Sequence, residues 1–585
     1  MKKILTILGI AAATLAGGNA ADLYWNGANV SASPANGGTG TWSTSNAWRS
    51  GTATGSQATW AAATGGTDNA IFAGTAGTVT LGSSGSTNFT GANISVNTTG
   101  YTISSASGSR NLVFTGSLTL SSSVALTLDL NNTNATWGFG SLSLGSGAAL
   151  TLQGIATANN ANRVNLSAAS TTSSGGSIVL NGTAAGVTGF VGTASGVALN
   201  TNISNNSATS ATMLGATSGN SLTYGGIVSG SANLQISAGQ SGGAGITTLN
   251  NTNNFTGNTY LNQASSAVLR IGVSNALPSG TTVFFGASAG GGTTDTGGSI
   301  DLNGQNLAIG ALDSATSTRG VANNTGTLST LTIGKAAGSN TFGGVIGTVV
   351  NTSLTTQTNN IAVVKAGAST QTFSGANTYT GGTTINAGTL LLSGGGTIGT
   401  GNLVLGGGTL SVAGITGSSY ALSGTQSLTG TGTILGAAGK TLTVAGTLAP
   451  GSSSTSTITL DTVAVTLSGT STFEFTNTGF TAGSYDLVQG TVGGTESVAF
   501  GGTLNLNFSG GTYTNGSTVT IFDVDSYSGG FGTVSFSGLG VGQSATFDAT
   551  NGLVTVVPEP KTWVLIGIGL SFMLWNLRRK RNLVG

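Results

Sequence analysis

The chain of 585 residues contains neither cysteine nor histidine. Without cysteine it cannot build a disulfide framework, so packing and hydrogen bonds alone must hold the fold together. The two absences also exclude a zinc site of the usual kind, a Ser-His-Asp triad and a Cys-His pair. From the sequence we therefore expect no enzyme, no catalytic residues, no metal ligands and no cofactor.

Charged residues are scarce as well, since Asp, Glu, Lys and Arg make up 5% of the chain, against about 25% in an ordinary globular domain. The segment between Asp22 and Val557 carries 8 basic and 13 acidic residues, a net charge of −5. Its cations stand singly, whereas nucleic-acid binding needs clustered Lys and Arg to neutralise phosphates. The sequence therefore predicts no nucleic-acid partner.

The chain does contain much glycine, 101 residues, and many short runs in which apolar and polar residues alternate. Apolar residues at a spacing of two mark strands with one buried face. Gly, Asn and Ser separate the runs, and no segment between residues 22 and 556 keeps a helical period. The pattern predicts an all-β fold, and clear examples of such runs are 118–120, 126–128, 142–144, 403–405 and 442–444.

Three segments return, in the same order, roughly 120 residues further along the chain, which indicates stacked repeats. Stacked β-coils bring like side chains within ~4.8 Å of each other. That arrangement suits Thr, Ser, Asn and aliphatic residues and disfavours like charges. We therefore predict a parallel β-helix, or β-solenoid, with about 20–25 residues per coil. The repeated segments are 175–182 with 297–304, 224–228 with 342–346, and 254–259 with 378–383.

Segment 371–390, Q-T-F-S-G-A-N-T-Y-T-G-G-T-T-I-N-A-G-T-L, resembles the autotransporter-associated β-strand repeat. In that family the unit is one coil of a right-handed β-helix, so the resemblance implies a right-handed parallel solenoid. It also implies a passenger-like protein of the cell surface. The resemblance extends to the passenger only, because we expect an apolar helix at the C-terminus instead of a translocator barrel, and self-transport is not implied.

Three features follow one another at the C-terminus: a V-P-E-P motif, an uncharged stretch and a basic cluster. Together they resemble the PEP-CTERM sorting signal of Gram-negative bacteria, which implies processing by the membrane protease exosortase. The resemblance also implies one transmembrane helix that holds an exported precursor in the inner membrane. An ordinary C-terminal anchor is the alternative. The three features comprise Val557, Pro558, Glu559 and Pro560, then residues 563–577, then Arg578, Arg579, Lys580 and Arg581.

The N-terminus has the composition of a secretory signal peptide. Lys2 and Lys3 precede an apolar stretch at 4–15, and small residues follow, which is the order of such a signal. We expect cleavage after Ala20, with Ala21 as a near alternative. Export through a translocon and cleavage by signal peptidase are therefore expected.

These features divide the chain into five predicted parts. The C-terminal β domain among them is expected to contain longer, more aromatic strands paired as antiparallel hairpins, with a turn at Asn515-Gly516. It would cap the open end of the solenoid. The parts are the signal peptide (1–20), an N-terminal β cap (21–75), the solenoid (76–470), the C-terminal β domain (471–556) and the sorting signal (557–585).

Two groups of charged residues could carry a site. The densest lies in the solenoid, and within it Asp301 corresponds to Val179 in the repeated segment, so we interpret the group as solvated loop charge. Asp523 and Asp525 alternate on one predicted strand, which leaves a calcium site as an alternative to plain surface charge. The solenoid group consists of Asp295, Asp301, Asp313 and Arg319.

Four of the seven tryptophans, Trp25, Trp42, Trp48 and Trp60, lie within 36 residues near the N-terminus. Exposed tryptophans stack on sugar rings, whereas buried ones plug the end of a solenoid. We favour the plug.

The expected function is that of a non-catalytic, exported surface or extracellular-matrix protein, a structural scaffold or adhesin that exosortase sorts. Two alternatives stay open: a polysaccharide lyase or hydrolase built on a β-helix, and a glycan-binding surface module. The resemblances imply an inner-membrane precursor and then the cell surface or extracellular matrix of a Gram-negative-type bacterium. The expected partners are the translocon, signal peptidase, exosortase and the inner membrane, and an extracellular polysaccharide is a possible one.

Overall fold

The computed structural model describes residues 21–581 with some interruptions. Contacts divide the chain into two compact units, Met1–Thr247 with Ala289–Gly292 and Thr248–Ser288 with Thr293–Gly585. The stretches left out of the description are 29–30, 61–65, 83–87, 106–110, 131–135, 155–160, 169–171, 174, 183–185, 208–209, 238–244, 262–266, 287–297, 315–318, 350–353, 452–453, 510, 560–561 and the two ends of the chain.

The described part of the first unit consists of short strands, as its alternating sequence predicts. In chain order they are β1 (Asp22–Trp25), β2 (Gly40–Thr41), β3 (Trp48–Ser50), β4 (Gln57–Ala58), β5 (Asn69–Phe72), β6 (Thr78–Thr80), β7 (Phe89–Gly91), β8 (Ile94–Val96), β9 (Tyr101–Ser104), β10 (Leu112–Phe114), β11 (Ser117–Leu120), β12 (Ala125–Asp129), β13 (Thr136–Phe139), β14 (Ser141–Leu144), β15 (Ala149–Gly154), β16 (Ala161–Leu166), β17 (Thr172–Ser173), β18 (Ser177–Gly182), β19 (Gly186–Gly192), β20 (Val197–Leu199), β21 (Asn202–Asn205), β22 (Ser210–Ala216), β23 (Ser221–Tyr224), β24 (Val228–Ser229) and β25 (Leu234–Ile236). Strand β26 (Ile246–Leu249) lies at the division between the units.

These strands stack into parallel sheets in the orders β1-β5-β8-β11-β14-β17, β2-β6-β9-β12-β15-β18-β21-β24 and β7-β10-β13-β16-β19-β22-β25. From β5 to β19 the chain visits the three sheets in turn, so one strand of each makes one coil. In the first sheet Ala70, Ile94, Leu118 and Leu142 are partners in register, each 24 residues after the last. This is the repeat of a parallel β-solenoid, and its length falls within the predicted range.

Side chains alternate between the core and the outer face along each strand. Leu118 is fully buried in the core, whereas the Oγ atoms of Ser117 and Ser141 share a hydrogen bond of 2.7 Å on the outer face. Amides stack in the same way, because Asn93 Nδ2 donates to Asn69 Oδ1 at 2.9 Å. Neutral side chains therefore pair from coil to coil, as the scarcity of charge predicts.

The second unit continues with short strands and ends in one helix. Its elements are β27 (Thr259–Leu261), β28 (Val268–Ile271), β29 (Thr282–Phe285), β30 (Ser299–Asp301), β31 (Leu307–Ile309), β32 (Ala311–Asp313), β33 (Gly320–Ala322), β34 (Ser329–Ile333), β35 (Ser339–Phe342), β36 (Val345–Ile346), β37 (Ile361–Lys365), β38 (Thr370–Phe373), β39 (Thr383–Ile385), β40 (Thr389–Gly394), β41 (Leu403–Ile415), β42 (Ser419–Leu422), β43 (Ser427–Leu435), β44 (Thr441–Val444), β45 (Thr447–Pro450), β46 (Thr457–Asp461), β47 (Ala464–Leu467), β48 (Thr470–Phe475), β49 (Leu487–Gly490), β50 (Ser497–Phe500), β51 (Thr503–Phe508), β52 (Thr518–Thr520), β53 (Phe522–Asp523), β54 (Ser526–Gly529), β55 (Thr533–Ser537), β56 (Gln543–Asp548), β57 (Leu553–Pro558) and α1 (Thr562–Arg581).

Parallel stacking also organises the second unit. Its longest sheet runs β31-β34-β37-β39-β41-β43-β45-β48-β51-β55, and shorter ones run β27-β29-β32, β28-β30-β33-β36 and β42-β44-β47-β50-β54. The core again consists of aliphatic and aromatic side chains in columns, for example Ile333, Lys365 and Ile385 in register on β34, β37 and β39. The described strands therefore agree with a parallel β-solenoid in both units. The right-handed sense stays a prediction, as do the domain boundaries.

The C-terminal strands differ from the predicted antiparallel hairpins. Parallel pairing continues from β48 through β51 to β55, with Phe473 opposite Leu506. Antiparallel pairing occurs only later, in the sheet β52-β57-β56. The turn predicted at Asn515-Gly516 does not join two paired neighbours, because β52 pairs with β57. Alternation marks a buried face but does not distinguish parallel from antiparallel neighbours, which is why the prediction was wrong.

The repeated segments lie in different sheets. The first contains β18, which pairs with β15 and β21 and leaves Val179 exposed. The second contains β30, which pairs with β28 and β33 and is buried at all three positions. A likeness of strand and turn sequence thus recurs on different sheets. The burial of a residue in one copy does not predict the burial of its counterpart.

Helix α1 covers most of the uncharged stretch and the basic cluster. In the described part of the chain, no helix combines the length and the apolar character that crossing a membrane requires. Residues 563–577 would span about 22 Å as a helix, against ~30 Å for the hydrocarbon core, and four cations follow at once. The structure therefore corrects the predicted transmembrane helix to a shorter apolar helix.

Candidate functional site

The four N-terminal tryptophans form one buried cluster, each being at most 3% exposed. Antiparallel pairing of β1 with β3 sets Trp25 opposite Trp48, with 5.0 Å between their ring centroids. Trp42 lies 5.0 Å from Trp48, 5.3 Å from Trp60 and 5.5 Å from Phe72. The predicted plug is confirmed. Because the rings face one another inside the fold, the tryptophans cannot form an exposed platform for sugars.

Asp301 is fully buried, which corrects its interpretation as a solvated loop charge. Its Oδ2 accepts a 2.8 Å hydrogen bond from Arg270 Nε, and the two residues are register partners on β30 and β28. Its Oδ1 accepts the backbone N–H groups of Asn303 and Asn324 at 2.9 and 3.0 Å. The comparison with Val179 failed because that residue lies in another sheet. Asp301 therefore orders two turns and neutralises Arg270.

The other members of the predicted charge group do not pair with Asp301. Asp313 ends β32, in a different sheet, and its Oδ2 accepts a 2.8 Å hydrogen bond from Asn340 Nδ2. Arg319 precedes β33 and is buried, and this burial lowers its pKa. Asp295 lies outside the described residues. The structure thus joins Asp301 to Arg270, a residue that the sequence analysis did not select.

Asp523 and Asp525 do not alternate on one strand, so that prediction is wrong. Strand β53 ends at Asp523, and Asp525 lies in the bend before β54. Both residues are exposed, and Asp525 Oδ2 accepts the backbone N–H of Glu496 at 3.1 Å. Among the described residues, no three or more acids come together in a group that could hold a metal ion.

Lys365 is a buried cation that the sequence analysis missed. It occupies a core position on β37, in register with Ile333 and Ile385, and is 0% exposed. Its Nζ donates to the carbonyl oxygens of Ala366 and Gly367 at 2.7 Å each. Burial lowers its pKa to about 8. The signal in the sequence is its place two residues after Val363, where the alternation requires an inward side chain.

Asp486 is a second buried charge that the sequence analysis missed. Its two carboxylate oxygens accept the backbone N–H groups of Ser456 and Glu474 at 2.8 Å each. Burial raises its pKa to about 7. It also lies two residues before buried Val488, so alternation along the chain would have identified it. Like Lys365, it bonds to backbone groups that the strands leave unpaired.

The V-P-E-P motif lies at the end of the last strand. Val557 and Pro558 close β57, which pairs with β56. Glu559 is exposed, and its N–H donates to the carbonyl oxygen of Gly542 at 2.8 Å. Pro560 lies outside the described residues. The motif therefore joins the antiparallel sheet to α1 and presents Glu559 at the surface.

The basic cluster belongs to the last turn of α1. Arg578 and Arg579 are exposed, and the guanidinium carbon of Arg579 lies 5.3 Å from the ring centroid of Trp575. Lys580 and Arg581 continue the same helix. A cation–π contact of this kind is worth roughly 0.5–1 kcal/mol at an exposed site.

The predicted signal-peptide cleavage site lies at the start of the described chain. Ala20 falls outside the described residues. Ala21 is held at the beginning of the fold, because its carbonyl oxygen accepts the backbone N–H of Asn69 at 2.9 Å. Strand β1 starts at the next residue.

A family described as the passenger-associated-transport-repeat matches residues 363–392. The match contains Lys365, β38, β39 and most of β40, and it includes the segment whose resemblance to the autotransporter-associated repeat was noted from the sequence. A comparison with the curated proteins found no match to this chain. The finding supports a passenger-like repeat protein, consistent with the cell surface.

Proposed function

We propose that this chain is a non-catalytic, exported protein of the cell surface or extracellular matrix, acting as a scaffold or adhesin. The observation that carries the proposal is a parallel β-solenoid in which one coil matches a passenger-associated repeat. Such an architecture presents long outer faces of Ser, Thr and Asn, which suit spacing and adhesion more than bond cleavage. The buried charges Asp301, Lys365 and Asp486 all bond to backbone groups.

We also propose that the C-terminal segment is a sorting signal that exosortase processes. Motif, apolar helix and basic cluster occur in the order that the resemblance requires, and Glu559 is exposed next to the helix. On this route the signal peptide directs the chain through the translocon, and signal peptidase removes it. The apolar helix and its cations then keep the precursor at the inner membrane until processing releases the protein.

Mass spectrometry of the protein isolated from its own bacterium tests this route. We expect the mature N-terminus at Ala21 and a mature C-terminus that lacks the cluster ending at Arg581. The double substitution Pro558→Ala and Glu559→Ala is expected to leave α1 attached and the protein in the membrane fraction. The matched control is Asp548→Ala, which removes another exposed carboxylate of the C-terminal sheet.

Two results would contradict the proposal. A secreted protein that still carries Arg581 would overturn the sorting route. Surface labelling that fails to reach the wild-type protein in intact cells would overturn the surface function. The non-catalytic role has its own test, because release of unsaturated or reducing sugar ends from extracellular polysaccharides by the purified protein would show an enzyme.

A further inference from the structure

An aromatic pair lies on the outer face of the second unit. Tyr260 on β27 and Phe284 on β29 are register partners, and their rings stack with 5.0 Å between centroids and 13° between planes. Both are partly exposed. Their neighbours Leu261 and Phe285 point into the core and are buried. Tyr260 and Phe284 therefore point outward, unlike the aromatic residues of the N-terminal plug.

Asp313 continues this outer column in the next coil, as the register partner of Phe284. Its Oδ2 accepts a 2.8 Å hydrogen bond from Asn340 Nδ2, and Asn340 Oδ1 accepts a 3.0 Å hydrogen bond from Lys335 Nζ. Within the described residues, Asp313 Oδ1 has no hydrogen-bond partner. The carboxylate is thus held in place by one oxygen and free to accept through the other, and Lys335 balances its charge.

The two rings and the carboxylate differ in length, which leaves part of the column uncovered. Tyr260 stacks on one face of Phe284, and the side chain that follows on the other side, Asp313, is much shorter than a ring. The outer part of that second face therefore has no aromatic partner among the described residues. An apolar ring face thus lies beside an acceptor oxygen.

This arrangement matches the chemistry of a sugar ring. A pyranose has an apolar C–H face and a rim of hydroxyl groups that donate and accept hydrogen bonds. Small-ligand sites combine aromatic side chains with a few fixed polar groups in the same way, and a carboxylate accepts hydroxyl protons in strong, charge-assisted bonds. Because Asp313 and Lys335 offset each other through Asn340, the patch favours a neutral ligand over a polyanion.

We propose that Tyr260, Phe284, Asp313 and Asn340 form a binding site for a neutral pyranose unit of an extracellular polysaccharide. The sugar ring packs against Phe284 and its hydroxyls bond to Asp313 Oδ1. This inference rests on the proposed surface function, since only an exported protein meets such a polymer. It is independent of the N-terminal tryptophans, which are buried.

Affinity electrophoresis of the full-length secreted protein tests the site. The gels contain a neutral polysaccharide, either dextran, galactomannan or a soluble β-glucan, and alginate serves as the anionic comparison. We expect at least one neutral polymer to retard the wild type, with little change between 50 and 500 mM salt. Phe284→Ala and Asp313→Asn should each weaken binding about tenfold or more. The matched controls, Phe536→Ala and Asp523→Asn, change an exposed ring and an exposed acid elsewhere and should bind like the wild type.

Three results would overturn the site: no neutral polymer retards the wild type, only alginate does so, or both variants bind as tightly as the wild type. Thermal unfolding of each variant separates lost binding from lost folding, and Asp313→Asn, on a partly exposed side chain, should keep the wild-type transition. The variants also distinguish the two proposals. If the glycan site is wrong, Asp313→Asn and the wild type are still processed and surface-exposed, whereas failure of the surface function affects the wild type itself.

Discussion

Arg270 and Asp301 lie directly opposite each other on neighbouring strands, and their side chains form a 2.8 Å ion pair. Like charges repel when coils stack, but opposite charges 31 residues apart meet and attract. Asp301 is 0% exposed while the Arg270 side chain is 26% exposed, so water reaches only one partner. The scarcity of charge in this chain therefore has a specific exception, in which register brings two opposite charges together.

The substitution Asp301→Ala is expected to lower the free energy of unfolding by about 3–5 kcal/mol, because it leaves a partly buried guanidinium and two backbone N–H groups without an acceptor. Urea unfolding followed by circular dichroism measures the change. Asp523→Asn, on an exposed acid, should shift the free energy by less than about 0.5 kcal/mol. A loss for Asp301→Ala no larger than that of this control would show that the pair contributes nothing.

A double substitution separates the two parts of that loss. Replacing Arg270 by Met and Asp301 by Leu together removes both charges, and apolar replacements of buried pairs are often close to neutral. We expect the double variant to recover the part due to the unpaired guanidinium. A deficit of about 1–3 kcal/mol should remain, because the N–H groups of Asn303 and Asn324 still lack their acceptor.

Lys365 should make stability depend on pH in the alkaline range. Its pKa is lowered by burial to about 8 in the folded protein, from an ordinary 10.5. Between these values the unfolded chain binds the proton and the folded chain does not, so the free energy of unfolding should rise with pH, by up to about 3 kcal/mol. Lys365→Met should remove this slope. At pH 7 it should also cost about 1–3 kcal/mol, because the carbonyls of Ala366 and Gly367 lose their donor.

Lys440 supplies the control for that experiment. Its Nζ also donates to two carbonyls, those of Ile415 and Gly417, but its side chain is partly exposed. Lys440→Met should therefore keep the alkaline slope, because Lys365 is unchanged. Unfolding curves for the three proteins between pH 7 and 10.5 decide the matter, and equal slopes in all three would contradict the assignment.

Asp486 should act in the opposite direction at lower pH. Burial raises its pKa to about 7 in the folded state, from 3.8. Between these values the folded state holds the proton more tightly, so this group stabilises most below pH ~4, and the stabilisation is lost as pH rises to about 7. The difference in unfolding free energy between wild type and Asp486→Asn should therefore shrink by up to about 4 kcal/mol from pH 4 to pH 7. A difference independent of pH would contradict this, and Asp523→Asn provides the baseline.

Trp42 is expected to be the most costly residue to truncate in the N-terminal plug. It is 0% exposed and lies within 6.2 Å, between centroids, of Trp48, Trp60, Phe72, Phe89 and Phe114. Trp42→Ala should lower the free energy of unfolding by about 3–5 kcal/mol. Trp42→Phe keeps an aromatic ring and should cost less than about 1.5 kcal/mol. Chemical unfolding followed by tryptophan fluorescence measures both, and equal losses would argue against packing as the cause.

Much of the architecture could be predicted from local pattern. Alternation identified Leu118 and Leu142 as inward residues, and their register partnership 24 residues apart follows from the repeat. Clustering of tryptophans indicated a plug, and Trp42 is buried as expected. The segment resembling a passenger repeat lies within the matched residues 363–392. These predictions succeeded because strand periodicity and stacking depend on side chains close in sequence or one coil apart.

Other features could not be predicted because they depend on which strands become neighbours. Asp301 looked solvated by comparison with Val179, yet the two lie in different sheets, and only one of them meets an arginine. Asp523 and Asp525 looked like neighbours on one strand, but the strand ends between them. The pairing of β48 with β51 and β55 is parallel, although its sequence would also suit a hairpin.

The sequence by itself determined that this chain is built from short strands with neutral outer ladders and an aliphatic core, because period-two alternation and an almost uncharged composition permit little else. Only the tertiary structure decided which side chains share a column, and with them the Arg270–Asp301 pair, the buried ammonium of Lys365 and the outward column of Tyr260, Phe284 and Asp313. Irregular turns, unequal in length, set the register of each coil, and a shift of one residue moves a side chain from the core to the surface.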